Sequence, residues 1–129
     1  MKKTLIATLM LVAGTSQAQW MTMPIKNKTP ADSFFAVADV KVRQDGYVEA
    51  WVMANDWFEK SSTISLILSN CQTKEYRVMQ STFYKGLGGT GGVIHVTGVI
   101  PYSVMPFERT APGTLGDLYR DTVCNLAGK

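Results

Sequence analysis

Five short segments rich in β-branched and aromatic residues, each bounded by turn residues, constrain the fold of this chain most. They are residues 34–42, 47–55, 63–69, 74–84 and 93–100. Short runs of this kind with brief links are typical of antiparallel strands, and Asp45-Gly46 is a strong hairpin signal between the first two. After the last run, Pro101 and Pro106 oppose any regular strand or long helix. The sequence predicts an α+β, mostly β fold with an antiparallel meander sheet of five to six strands.

One amphipathic helix is predicted after the sheet, over residues 115–123. Thr114 can cap its N-terminus, and Asp117 suits the positive end of the helix dipole. Its apolar stripe consists of Leu115, Leu118, Tyr119, Thr122 and Leu126. Cys124 would project opposite Leu115 on an ideal helix, so the helix is expected to end before Cys124.

The chain begins with two lysines, an apolar run over residues 5–13 and small residues up to Ala18. This pattern is typical of a secretory signal peptide cleaved after Ala18. The apolar run is far shorter than the roughly 20 residues of a membrane-spanning helix. Residues 19–33 are then expected to form an extended segment and residues 34–129 one domain. The expected location is the periplasm or the cell surface. No cysteine lies near the predicted cleavage point, so a lipid anchor is not expected there.

The charge of the chain argues against nucleic acid as a partner. Two of the 13 Lys and Arg residues lie in the signal peptide, and 10 Asp and Glu balance the rest. The mature chain is therefore close to neutral, and it lacks the basic excess that nucleic-acid binding requires.

Cys71 and Cys124 are the only cysteines. In an exported chain the default interpretation is a disulfide, with two free thiols or a metal site as alternatives. A zinc site usually needs four ligands in close pairs, and His95 is the only histidine. A bond across this sequence separation would stabilise the domain by roughly 4 kcal/mol in the loop-entropy model.

The glycine-rich stretch at residues 86–92, GLGGTGG, contains the spacing G-x-G-x-x-G. A dinucleotide-binding turn needs a helix after it, whereas a strand pattern beginning at Val93 follows here. No cofactor is therefore expected, and the stretch is interpreted as a mobile hairpin loop. A contact between this loop and a partner is the alternative.

No catalytic motif stands out. His95 lies in a strand pattern without a marked nucleophile, and it is interpreted as a packed or hydrogen-bonded residue. Two pairs of acids, Asp56 with Glu59 and Asp117 with Asp121, are close in sequence, but both are interpreted as solvated surface charges. The chain is therefore not expected to be an enzyme, and no metal site is expected.

Trp51 and Met53 alternate with small aliphatic residues along residues 47–55, so they share one face of that strand. Burial in a second layer is favoured because large apolar side chains usually lie inside. The alternative is an exposed contact patch, which would then be the candidate surface for a homodimer or another partner.

Several motifs, in their order along the chain, resemble the bacterial surface-adhesin protein E family. They are NCQTKEYRV at residues 70–78, YKG at 84–86, IPYS at 100–103, and VC at 123–124. The resemblance implies a mostly antiparallel sheet with a C-terminal helix tied to one face by a disulfide. It also implies adhesion, since the protein that gives the family its name binds host matrix and serum proteins at the bacterial surface. That member carries a lipid anchor.

The sequence thus predicts an exported, non-enzymatic protein-binding domain. Trp51 or Tyr102 would serve as aromatic anchors, with Lys85 or Arg77 at the rim. The alternative function is that of a small periplasmic inhibitor or envelope-assembly component that binds a bacterial protein. A hydrolase is a third hypothesis, which the lone His95 disfavours.

Overall fold

A single antiparallel sheet with one helix on one face makes up the part of the chain that the computed structural model describes, residues 20–23 and 35–129. The strands are β1 (Met21–Thr22), β2 (Ala36–Val42), β3 (Val48–Asp56), β4 (Ser61–Asn70), β5 (Glu75–Tyr84), β6 (Val93–Val96) and β7 (Glu108–Arg109), and the helix is α1 (Leu115–Leu126). The predicted signal peptide lies outside the described residues. None of the described helical structure is long and apolar enough to cross a membrane.

The strands β1 to β6 are neighbours in sequence order, and β7 lies beside β5. The predicted antiparallel meander is therefore confirmed, and the described part of the sheet has seven strands. One addition is β7, which pairs Glu108 with Tyr76 and Arg109 with Glu75 in the segment predicted to be irregular. Because β7 begins after Pro106, neither of its residues lacks the backbone N–H that a ladder needs.

Strand β6 is shorter than predicted, since it ends at Val96. The chain bends at Gly98, whose φ is +66°. It still follows the edge of β5, because Thr97 N donates to Ser81 O at 3.0 Å and Ile100 N donates to Met79 O at 2.7 Å. The middle of β5 is thus bordered by an irregular segment instead of a regular strand.

The hydrophobic core lies between the helix and one face of the sheet. Small aliphatic residues alternate along β3 and face the helix, and they pack with residues from the neighbouring elements. The buried cluster contains Met23, Val37, Val48, Ala50, Val52, Ile67, Tyr119 and Val123. Each fully buried aliphatic side chain of this size contributes about 1.5–3 kcal/mol. On the opposite face, Met53 is buried and Trp51 is half-buried.

The start of the helix agrees with the prediction, since Thr114 Oγ1 accepts a hydrogen bond from Asp117 N. The end does not, because the helix continues through Cys124 to Leu126. Of the predicted apolar stripe, Tyr119 is buried and Leu118 packs against the core, whereas Leu115 and Leu126 are exposed. The buried residues are Tyr119, Arg120, Val123 and Cys124. Successive residues turn by about 100°, so this arc points Cys124 at the sheet while the helix stays regular.

The predicted disulfide is confirmed. Cys71 and Cys124 are joined at an S–S distance of 2.03 Å, with their Cα atoms 5.9 Å apart. The bond ties the helix to the turn between β4 and β5, at the end of the sheet that is called the disulfide end here. The opposite end, which carries the turn at residues 56–60 and the loop at residues 86–92, is called the distal end.

Candidate partner-binding surface

The turn between β3 and β4 projects an aromatic side chain from the distal end. Asp56 Oδ1 accepts hydrogen bonds from Phe58 N at 3.1 Å and Glu59 N at 3.0 Å. Lys60 Nζ lies 4.0 Å from the centre of the Trp57 ring, a cation–π distance. These contacts fix the turn from both sides, and Phe58 at its tip is 94% exposed. A large apolar side chain held in solvent by a structured turn is a candidate anchor for a partner.

The loop at residues 86–92 is bonded to the sheet beside that turn. Gly88 N donates to Asn55 Oδ1 at 2.7 Å, and Gly89 N donates to Ser62 Oγ at 2.8 Å. Ser62 Oγ in turn donates to the carbonyl of Gly86 at 2.6 Å. The loop joins β5 to β6 as a hairpin, as predicted, and side chains of β3 and β4 bind its backbone.

Two glycines of this loop offer a matched test of its packing. Gly91 and Gly92 both have positive φ, +79° and +89°. A Cβ on Gly91 would lie 2.9 Å from Gly86 N, whereas a Cβ on Gly92 meets open space. We expect Gly92→Ala to lower the free energy of unfolding by about 1–2 kcal/mol from backbone strain alone. Gly91→Ala should lower it by about 1–3 kcal/mol more, because backbone atoms must also move. Urea denaturation of both variants measures the difference, and equal losses would contradict this packing.

Strand β6 continues the distal end and lies at the edge of the sheet. All four of its residues are exposed, with Val93 at 52% and Ile94 at 59%. The His95 ring lies beside that of Phe83, with centroids 6.0 Å apart and an interplanar angle of 32°. Asn55, Ser62, Tyr84 and Val93 follow one another across the paired strands, so β6 begins at the same end as the Phe58 turn. Exposed apolar side chains therefore gather at the distal end.

A second group of aromatic residues lies nearer the disulfide end. Arg77 is 9% exposed, and the centre of its guanidinium lies 5.4 Å from the centre of the Tyr102 ring. Phe107 lies between Tyr47 and Tyr102, with ring centroids at 5.0 Å and 6.3 Å respectively. These rings hold the irregular segment that follows β6 against the sheet.

Comparison with known proteins decides the family. The family model described as surface-adhesin protein E matches residues 20–125. The chain belongs to the surface-adhesin protein E family. No curated protein and no solved structure gave a significant match. The matched range includes all the described strands and nearly all of the helix, so the adhesin E match and the fold concern the same domain.

The four residues predicted to contact a partner are spread over this adhesin E domain. Trp51 is half-buried in the centre of the sheet face opposite the helix. Lys85 is exposed at the base of the glycine loop, where its backbone N–H donates to Gly92 O at 3.0 Å. Tyr102 and Arg77 lie together, as described above. The structure brings only this last pair into contact.

The acidic pairs have structural partners. Asp56 caps the Phe58 turn, and Asp117 accepts hydrogen bonds from Arg120 at 2.7 Å and Thr110 at 2.9 Å. These bonds, Arg120 first, hold the pKa of Asp117 below its ordinary value. Asp121 pairs with the buried Arg120 at 2.7 Å. Within residues 20–23 and 35–129, no cluster of three or more His, Cys, Asp and Glu could hold a metal ion.

Sequence reasoning missed Phe58, because in this link it considered only the charges of Asp56 and Glu59. The usable signal was Trp57-Phe58 between Asp56 and Lys60, two adjacent aromatic residues in a turn of only a few residues. Adjacent residues in a tight turn cannot both return to the core, so one of them had to face solvent.

Proposed function

We propose that this adhesin E domain is exported and binds a protein partner outside the cell, a host matrix or serum protein, without catalysis. The distal end of the sheet is the contact surface. The observation that carries the proposal is the exposure of Phe58 at the tip of a turn fixed by Asp56. Membership of the adhesin E family supports the same class of function.

The geometry favours binding through this end for two reasons. Aromatic side chains provide the largest apolar contact area per residue, and such residues dominate binding energies when a partner buries them. The turn is also ordered before binding, so less conformational entropy is lost on association. Val93 and Ile94 extend the apolar surface beyond the turn, and the exposed Lys85 lies close enough to serve as a rim charge.

The test is binding of the purified domain to a panel of immobilised matrix and serum proteins. Phe58→Ser is expected to weaken binding at least about tenfold, the loss that follows when a central aromatic anchor is removed. The matched control is Leu126→Ser, since Leu126 is also exposed but lies at the end of the helix. The control should bind like the wild type.

If Phe58→Ser binds the matrix or serum protein with the same affinity as the wild type, the proposed surface is contradicted. Protease treatment of intact cells that carry an epitope-tagged protein tests the location separately, with a periplasmic protein as the internal control. Digestion of the tagged protein alone supports display outside the cell. Protection until the outer membrane is opened would overturn that part of the proposal and direct the search to envelope partners.

A further inference from the structure

Arg77 is a buried cation whose hydrogen-bond acceptors are neutral carbonyl groups. Its Nε donates to the Met105 carbonyl at 2.8 Å, and its Nη2 donates to the Ile100 carbonyl at 2.6 Å. No Asp or Glu among residues 20–23 and 35–129 forms an ion pair with it. Buried charges in proteins are usually paired with an opposite charge, because desolvation of an isolated ion is unfavourable. The Arg77 guanidinium therefore lacks a direct ion-pair partner in the described part of the chain.

The guanidinium also has free hydrogen-bonding capacity. Nη1 makes no hydrogen bond within the described residues. Among those residues, the only side-chain N or O atoms that are sealed from solvent without a partner are Ser69 Oγ and Thr122 Oγ1. Nη1 of Arg77 is therefore not sealed from solvent. The N–H groups of Arg form a planar fork that matches the two oxygens of a carboxylate.

A small cavity of about 130 Å³ borders this side chain. Val104, Met105 and Pro106 line it with apolar groups, and Glu108 lies on its wall. The carboxylate of Glu108 repels a second negative charge, so a group with one negative charge is favoured over a dianion such as sulfate or phosphate. The apolar wall suits the methylene groups of an acidic side chain.

We propose that Arg77 binds a side-chain carboxylate of the protein partner. The carboxylate would approach the Nη1 side of the guanidinium, with the Tyr102 ring beside it and the methylene groups against Val104 and Pro106. This inference rests on the proposed function, since it names the chemistry of a further contact with that partner, outside the distal end and nearer the disulfide end. It also makes Arg77 a buried hydrogen-bond donor to an acidic residue of the partner, in place of the rim contact that the sequence predicted.

The test uses small probes and does not depend on finding the partner. N-acetylglutamate amide is titrated into the ¹⁵N-labelled domain, with N-acetylglutamine amide as a neutral probe of the same shape. The Nε–Hε signal of Arg77 and the amide signal of Tyr102 are expected to shift with saturation for the glutamate probe only. Linear shifts, or equal shifts with both probes at constant ionic strength, would overturn the proposal.

Two variants make the result specific. Glu108→Gln removes the like charge, and it should strengthen binding of the glutamate probe by about threefold. Arg77→Lys keeps the charge but loses the planar fork, and the saturable shift of Tyr102 should disappear in a variant that retains the backbone spectrum of a folded domain. If Arg77→Lys does not fold, unchanged affinity of Glu108→Gln would by itself count against the site.

The two proposals fail in different ways. If the glutamate probe binds at Arg77 but no matrix or serum protein binds the domain, the carboxylate site is supported and the proposed partner class is contradicted. Binding to such a protein that depends on Phe58, without a saturable probe shift, would support the proposed function and reject the carboxylate site.

Discussion

Replacing Cys71 and Cys124 together by serine is expected to lower the free energy of unfolding by about 4 kcal/mol. The disulfide closes a loop of 53 residues, so the reduced chain gains a large conformational entropy when it unfolds. The bond also joins the only described helix to the sheet. Because small domains are marginally stable, we expect a loss of this size to leave part of the population unfolded at 37 °C.

Urea denaturation of the double variant and the wild type measures this difference. A reducing agent should bring the wild type to the stability of the double variant, and it should leave the variant unchanged. A difference below about 1 kcal/mol between the two proteins would show that the helix is held by packing alone.

Tyr119→Ala is expected to lower the free energy of unfolding by about 3–5 kcal/mol. Tyr119 is 6% exposed and lies in the core cluster, and its hydroxyl donates to the Met53 carbonyl of β3. The substitution removes a large buried ring and the one hydrogen bond that this hydroxyl makes to the sheet. Thermal and urea denaturation of the variant measure the loss, and a decrease below about 1 kcal/mol would contradict the core position of the ring.

Tyr119→Phe isolates the hydroxyl group. It should lower the free energy of unfolding by about 1–2 kcal/mol, because the ring remains. Burial, and to a lesser extent the neighbouring Tyr76, raises the pKa of Tyr119 above its ordinary value of 10.0. Its contribution is therefore complete below pH 10, and stability falls as the pH rises above 10, where the unfolded tyrosine ionises and the folded one does not. The Phe variant should lose less stability between pH 9 and 11 than the wild type.

Local patterns in the sequence were sufficient for most of the fold. Alternating β-branched residues and Asp45-Gly46 predicted the antiparallel strands, because side-chain alternation and turn chemistry act between residues close in sequence. Thr114 predicted the start of the helix for the same reason. The disulfide followed from two cysteines in a chain whose N-terminal pattern predicts export. The order of the motifs from Asn70 to Cys124 predicted the family that the comparison then confirmed.

The end of the helix could not be predicted in this way. Leu115 and Cys124 are both apolar, and the sequence does not say which of them faces the sheet. Packing of Tyr119 and Val123 against β3 decides this, since it orients the helix so that Cys124 reaches Cys71. Propensity and periodicity describe one element at a time, whereas orientation depends on the surface that the element meets.

The candidate surface shows the same division. Residue types alone identify which positions carry charge, aromatic rings and flexible backbone. Tertiary packing exposes Phe58, bonds Asn55 and Ser62 to the glycine loop, and buries Arg77 without an ion-pair partner among the described residues. The contacts of the glycine loop and of Arg77 join residues that are 23 or more positions apart, and the sequence carries no local signal for those contacts.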